Sequence, residues 1–118
     1  MGTSAYEQST QGGAQLAPGD AARVLSDVYG LHLVAEEPLP GEVDRNVRVT
    51  VDAGRELVLK VAGAGAARDE LEFETRLLEH LGARKLGFAL PTQVPTRDGA
   101  RITAVSFGGR DHFVRLLT

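Results

Sequence analysis

The sequence contains no cysteine, which excludes a disulfide scaffold and a thiolate zinc site. Its only histidines, His32, His80 and His112, are scattered without ligand-like spacing, so no metal site is expected. No apolar run approaches the ~18 residues of a membrane span, and the N-terminus lacks the charged-then-apolar order of a secretory signal. "MGTSAY" begins like a myristoylation site, but Tyr6 stands where serine or threonine is required. There is no basic tract either. Thirteen basic residues against 16 acidic ones give a net charge of −3, with no cluster able to neutralise a row of phosphates. Neither a membrane nor a nucleic acid is an expected partner, and a soluble cytoplasmic protein is expected.

What is present is ordinary globular material: 118 residues, 42% hydrophobic and 25% charged. That length fits a single domain with a core of its own. Residues 1–17, "MGTSAYEQSTQGGAQLA", are polar and without periodicity, so they predict a disordered tail ahead of one ordered domain over 18–118. "PGDAARVLSDVYGL" then places Asp20 as an N-cap, Ala21, Val24, Leu25, Val28 and Tyr29 on one stripe, and Gly30 where a helix closes. An N-terminal amphipathic helix is expected there.

"LHLVAEEPLP" reads as an extended segment ended by Pro38 and Pro40, followed by the polar connection "PGEVDRN". "NVRVTV" alternates strictly, "DAGR" turns, and "ELVLKV" returns, which predicts an antiparallel hairpin. "ARDELEFETRLLEHLG" predicts a second helix stopped at Gly82. Beyond it "LPTQVPT", "RITAVSF" and "HFVRLLT" read as strands joined by the turns "RDGA" and "GGRD". The order predicts an α+β fold with a mainly antiparallel sheet.

The stretch "LVLKVAGAGAARDELEFE" admits two chemistries. Gly63-Ala64-Gly65 between an apolar run and a helix resembles a dinucleotide-binding turn. The third small residue of that fingerprint, which lets the helix lie against its strand, is here Arg68. The fingerprint also needs a parallel βαβ unit, whereas this strand is half of a hairpin and Pro91 and Pro95 interrupt the segment after the helix. The glycines are better read as a flexible connection.

The lysine and the carboxylates support the other chemistry. On a helical wheel Phe73, Leu77, Leu81, Leu78 and Leu71 share one apolar half, and Glu74 falls between Leu71 and Leu78. A carboxylate aimed into an apolar face needs a cation or donors to meet it. Lys60, in the middle of the hairpin strand, is the nearest plausible cation. Either Lys60 and Glu74 form a pair that presents the ammonium to nucleotide phosphates, with Val58 under the purine, or Lys60 snorkels from its strand and Glu74 reaches solvent.

The ordered series "LPGEVDRNVRV", "LVLKV", a helix with Glu74 followed by "LL" and "HL", "VPTRDG" and "VRLLT" resembles the N-terminal lobe of the aminoglycoside phosphotransferase superfamily, nearest its hydroxylysine kinase and homoserine kinase branch. The resemblance runs from Asp20 to Thr118. It implies a protein-kinase-like N-lobe: a five-stranded, mainly antiparallel sheet with one pairing helix, here with an extra N-terminal helix, over a Mg-ATP or Mg-GTP site. It further implies that Lys60 binds phosphate and Glu74 is its helix partner. "GEVDRN" would then replace the glycine-rich loop through Gly41, Arg45 and Asn46, although Arg45 can equally be a surface residue paired with Asp44 or Glu42. Leu116, Leu117 and Thr118 fall where the strand enters the hinge, as adenine contacts or simply as a core strand.

The family's catalytic aspartate, preceded by a histidine, and its metal-binding asparagine and aspartate lie beyond that hinge. No His-x-Asp occurs in this sequence, and Arg110-Asp111-His112 reads as a solvated loop. The expected function is therefore that of the nucleotide-binding lobe of a small-molecule phosphotransferase. It would be incompetent for catalysis alone, and its small-molecule acceptor would bind only with a C-terminal lobe. The alternative is a non-catalytic binding or regulatory module, or a split-enzyme half, that docks to a partner protein or to itself through the hinge strand Phe113–Leu117.

Overall fold

Alternation in the hairpin segment translates directly into backbone pairing. The computed structural model describes residues 16–39, 45–63, 67–82 and 91–118. Strands β2 (Arg45–Val51) and β3 (Arg55–Val61) run antiparallel, with Val47 opposite Leu59 and Val49 opposite Leu57. The loop between them, Asp52–Gly54, has Ala53 and Gly54 at φ 69° and 73°. Left-handed backbone costs an alanine more than a glycine.

β1 (Leu33–Leu39) pairs antiparallel with β2 and forms one edge of the sheet. The edge position accommodates Pro38, which has no N–H to give to a ladder. β4 (Thr103–Phe107) and β5 (Arg110–Leu117) form a second hairpin, closed by Gly108 and Gly109 at φ 59° and 81°. Two successive positive φ values suit a tight hairpin turn. The whole is a five-stranded antiparallel sheet in the order β1-β2-β3-β5-β4.

One face of the sheet carries the main core. Val47, Val49, Val51, Leu57, Leu59, Val61, Val105, Phe107, Val114 and Leu116 are buried there against Ala21, Val24, Leu25 and Tyr29. Those four residues come from α1 (Asp20–Val24), which continues as a single π turn over Leu25–Tyr29. Gly19 at φ 91°, and not Asp20, is the N-cap; Asp20 Oδ2 instead accepts from Ala17 N–H at 2.7 Å. Gly30 ends the helix at φ 69°, where its N–H returns to Ser26 C=O at 3.2 Å and Leu31 N–H to Leu25 C=O at 2.8 Å, so the left-handed stop satisfies the last carbonyls of the wider π turn. Leu16 packs against this core; residues 1–15 of the stretch expected as a tail lie outside the described residues.

α2 (Arg68–Gly82) touches the sheet along a narrower stripe than its composition suggests. Leu71 and Thr75 are buried and Leu78 and Leu81 are half-buried, while Phe73 and Leu77 are 63% and 44% exposed. Leu71 meets Ala62 and Ile102, with Phe113 beside them, in a second cluster. The buried polar residue of the stripe is satisfied: Thr75 Oγ1 donates to Leu71 C=O at 2.9 Å and accepts from Gln93 Nε2 at 2.9 Å. The segment expected as the strand "LPTQVPT" is reduced to a single bridge, Gln93 to Leu117. Pro91 and Pro95 on either side deny it a ladder.

Candidate functional site

The second face of the sheet holds the polar chemistry. Residues directly opposite in a ladder share a face, and Asn46, Lys60 and Arg115 are opposite one another across β2, β3 and β5. Val58 and Leu117 form the next such row, with Arg48 beyond Val58. A cleft of about 380 Å³ opens over these rows, lined by Leu39, Asn46, Val58, Lys60, Pro91, Leu117 and Thr118. That volume lies within the range of small-molecule sites. Its floor is apolar at Val58 and Leu117, with an amide and an ammonium at Asn46 and Lys60.

The cleft thus brings together Lys60, Val58, Asn46 and Leu117 of the residues singled out in the sequence, with Thr118 beside them. Others are placed elsewhere. Leu116 is fully buried on the opposite face, opposite Leu59, and its carbonyl accepts from Val94 N–H at 2.7 Å. Arg45 is exposed and, being adjacent to Asn46 in β2, points to the other face. Gly41 lies outside the described residues, as do Ala64 and Gly65.

Glu74 has a different partner from the one expected. Its Oε2 accepts from Arg115 Nη1 at 2.8 Å, and among the described residues no carboxylate pairs with Lys60. The two partners are unequal in burial, with the Arg115 side chain 5% exposed and that of Glu74 56% exposed. A buried guanidinium needs a counter-charge far more than a half-exposed carboxylate does. Arg115 was the residue missed. The signal was available, because an arginine inside "FVRLL" shares a strand face with Phe113 and Leu117 by simple alternation.

Several further expectations are revised by the packing. His112 is no part of a solvated loop: it is 4% exposed, its Nδ1 lies 2.8 Å from Ala62 C=O, and its ring centroid is 5.8 Å from that of Phe107. Arg110 and Asp111, beside it at the start of β5, are exposed. Nor is the segment Phe113–Leu117, expected to lead into a hinge, an open strand edge. β5 is flanked by β3 and β4, and its end is covered where Thr118 N–H donates to Thr92 C=O at 2.9 Å and Thr92 N–H to Thr118 Oγ1 at 2.9 Å. On the main-core side, burial pushes the Tyr29 phenol well above its ordinary pKa against the opposing charge of Arg115. No described helix is long and apolar enough to cross a membrane.

No protein-family model and no curated protein matches the sequence. Among solved structures, the fold is similar to that of spectinomycin phosphotransferase, APH(9)-Ia, determined in complex with ADP and spectinomycin. The two superpose with a TM-score of 0.66 over 88% of this chain at 10% identity, and this chain spans 30% of the length of that protein. At that identity the likeness is one of fold: the chain has an α+β, kinase-like fold with a five-stranded antiparallel sheet.

Proposed function

We propose that the cleft over β3 and β5 binds a purine nucleotide as Mg-ATP or Mg-GTP, and that the domain is the nucleotide-binding lobe of a cytoplasmic phosphotransferase. The observation that carries this reading is the placement of Lys60 beside Val58 and Leu117 in a single cleft. An apolar floor suits a purine, and an ammonium at one end suits its phosphates. The Asn46 amide is within the same lining and supplies donors for phosphate oxygens. A bound nucleotide would bring its magnesium with it, and the ion would supply charge neutralisation on the phosphates.

The phosphoryl acceptor we infer is a hydroxyl of an aminoglycoside or of a hydroxylysine-like amino alcohol. A second lobe would supply the base and the metal ligands; the fold similarity to a spectinomycin phosphotransferase supports this class of acceptor. Titration calorimetry with Mg-ATP and Mg-GTP tests the nucleotide step. We expect saturable binding that Lys60→Ala weakens by about tenfold or more, which is ~1.4 kcal/mol, and the absence of binding, or indifference to Lys60→Ala, overturns it. The exposed Phe73 and Leu77, one turn apart on α2, favour a second reading, a docking module for a partner protein. That module gives no nucleotide heat.

A further inference from the structure

We propose that the flank of α2 facing the segment that leads into β4 is a second binding site, which takes a small phosphorylated molecule through Arg68, Arg76 and Arg101. The three arginines line a cleft of about 350 Å³ between α2 and residues 100–102. Thr75 also lines it, but its hydroxyl is already committed to Leu71 C=O and Gln93 Nε2. What the cleft offers a ligand is therefore cationic. It shares no lining residue with the cleft over Lys60, so the inference stands apart from the nucleotide reading.

The helix leaves one of these cations unmatched. Glu72 stands four residues before Arg76 and Glu79 three residues after it, both spacings at which helix side chains meet. Yet Glu72 Oε1 accepts from Arg68 Nε at 2.9 Å, and Glu79 Oε1 lies 3.6 Å from Arg101 Nε. Arg76 has no ion-pair partner among the described residues. Three guanidiniums against two carboxylates leave a positive charge in excess here, in a chain whose net charge is −3. Arg68 is fixed from a second side, its Cζ 5.7 Å from the Phe113 ring centroid. Both paired arginines are engaged through Nε, and a guanidinium keeps further N–H donors on its Nη atoms.

Guanidinium forks match the oxygens of phosphate and carboxylate. Several forks around one cleft favour a phosphate monoester, which near neutral pH carries a charge of roughly −1.5 to −2 on three strong acceptor oxygens, over a lone carboxylate. Ala100 and the buried Ile102 supply an apolar wall for the group that the phosphate esterifies. The volume falls at the lower end of the range for small-molecule sites, roughly 300–1,000 Å³, which suits a phosphorylated metabolite better than a segment of a folded partner.

Phenyl phosphate, titrated into the isotope-labelled chain and followed by amide chemical shifts, tests the proposal. We expect saturable shifts confined to α2 and residues 100–102, with a dissociation constant of about a millimolar or below. Arg76→Gln, which keeps a good helix former at an exposed position, should weaken binding by about fivefold or more. Arg55→Gln removes the same charge from the exposed start of β3 and should leave the affinity unchanged, as should Lys60→Ala. Benzoate, with the same ring and a single charge, should bind several-fold more weakly. The site is overturned if the shifts fail to saturate by about 20 mM, or if Arg76→Gln binds as tightly as the native chain. An equal loss in Arg55→Gln would reduce the effect to general charge attraction, and a loss in Lys60→Ala would put the probe in the nucleotide cleft; either result refutes the proposal. Equal affinity for benzoate overturns the assignment to phosphate.

Discussion

Val58 and Leu117 stand opposite each other in the β3–β5 ladder and line one cleft with Lys60. This apolar pair and the ammonium are separable parts of the proposed site. Filling the cleft with Val58→Phe should raise the dissociation constants of Mg-ADP and of adenosine alike, by about tenfold or more. Lys60→Ala should affect Mg-ADP alone. Parallel calorimetric titrations with the two ligands distinguish the effects, and equal losses in both variants would mean that the phosphate and purine ends are wrongly assigned.

Tyr29 makes stability depend on alkali. Its hydroxyl is buried with no hydrogen-bond partner among the described residues, and burial raises its pKa above the ordinary tyrosine value. A folded-state pKa above the unfolded one means that above about pH 10 the unfolded chain sheds a proton the folded one retains. The associated stability is fully present below that pH and falls as pH rises past it. Tyr29→Phe removes both the unpaired hydroxyl and the titration. We expect a gain of about 1 kcal/mol at neutral pH and a shallower alkaline decline, measured by urea unfolding between pH 8 and about pH 11.

Ala53 is the one non-glycine residue with positive φ among those described, at 69° in the β2–β3 turn. Its side chain gains nothing from that position, since the residue is exposed. Ala53→Gly should therefore stabilise the domain by about 1 kcal/mol, the left-handed penalty less the extra entropy of glycine in the unfolded chain. The midpoint of denaturant unfolding should rise with an unchanged slope. A lower midpoint would show that the turn is not strained.

The hairpin was legible in the sequence because alternation over Val47, Val49 and Val51 fixes which residues face the core. The cleft residues Val58 and Lys60 followed from the same alternation. The partner of Glu74 did not, because two cations, Lys60 and Arg115, occupy one sheet face, and only the β3–β5 register places Arg115 beside the helix carboxylate. On α2 the wheel grouped Phe73 and Leu77 with Leu71, yet the contact needs only the stripe through Leu71, Thr75 and Leu78. Apolar residues outnumber the places for them. Gln93 and Thr75 bond across 18 residues of sequence, a pairing that no local pattern encodes.

The interior position of β5 also governs how the sheet can be assembled. β1, β2 and β3 form a meander of sequence neighbours, but β4, the outer strand, joins them only through β5, the last of the strands. Local hairpins close quickly, whereas the β3–β5 ladder must bring Leu59 to Leu116 over a long intervening chain. During synthesis, β4 has no strand to pair with until β5 has left the ribosome. The five-stranded sheet should therefore close only once β5 is available, with the β1–β3 meander waiting for the strand that carries Arg115.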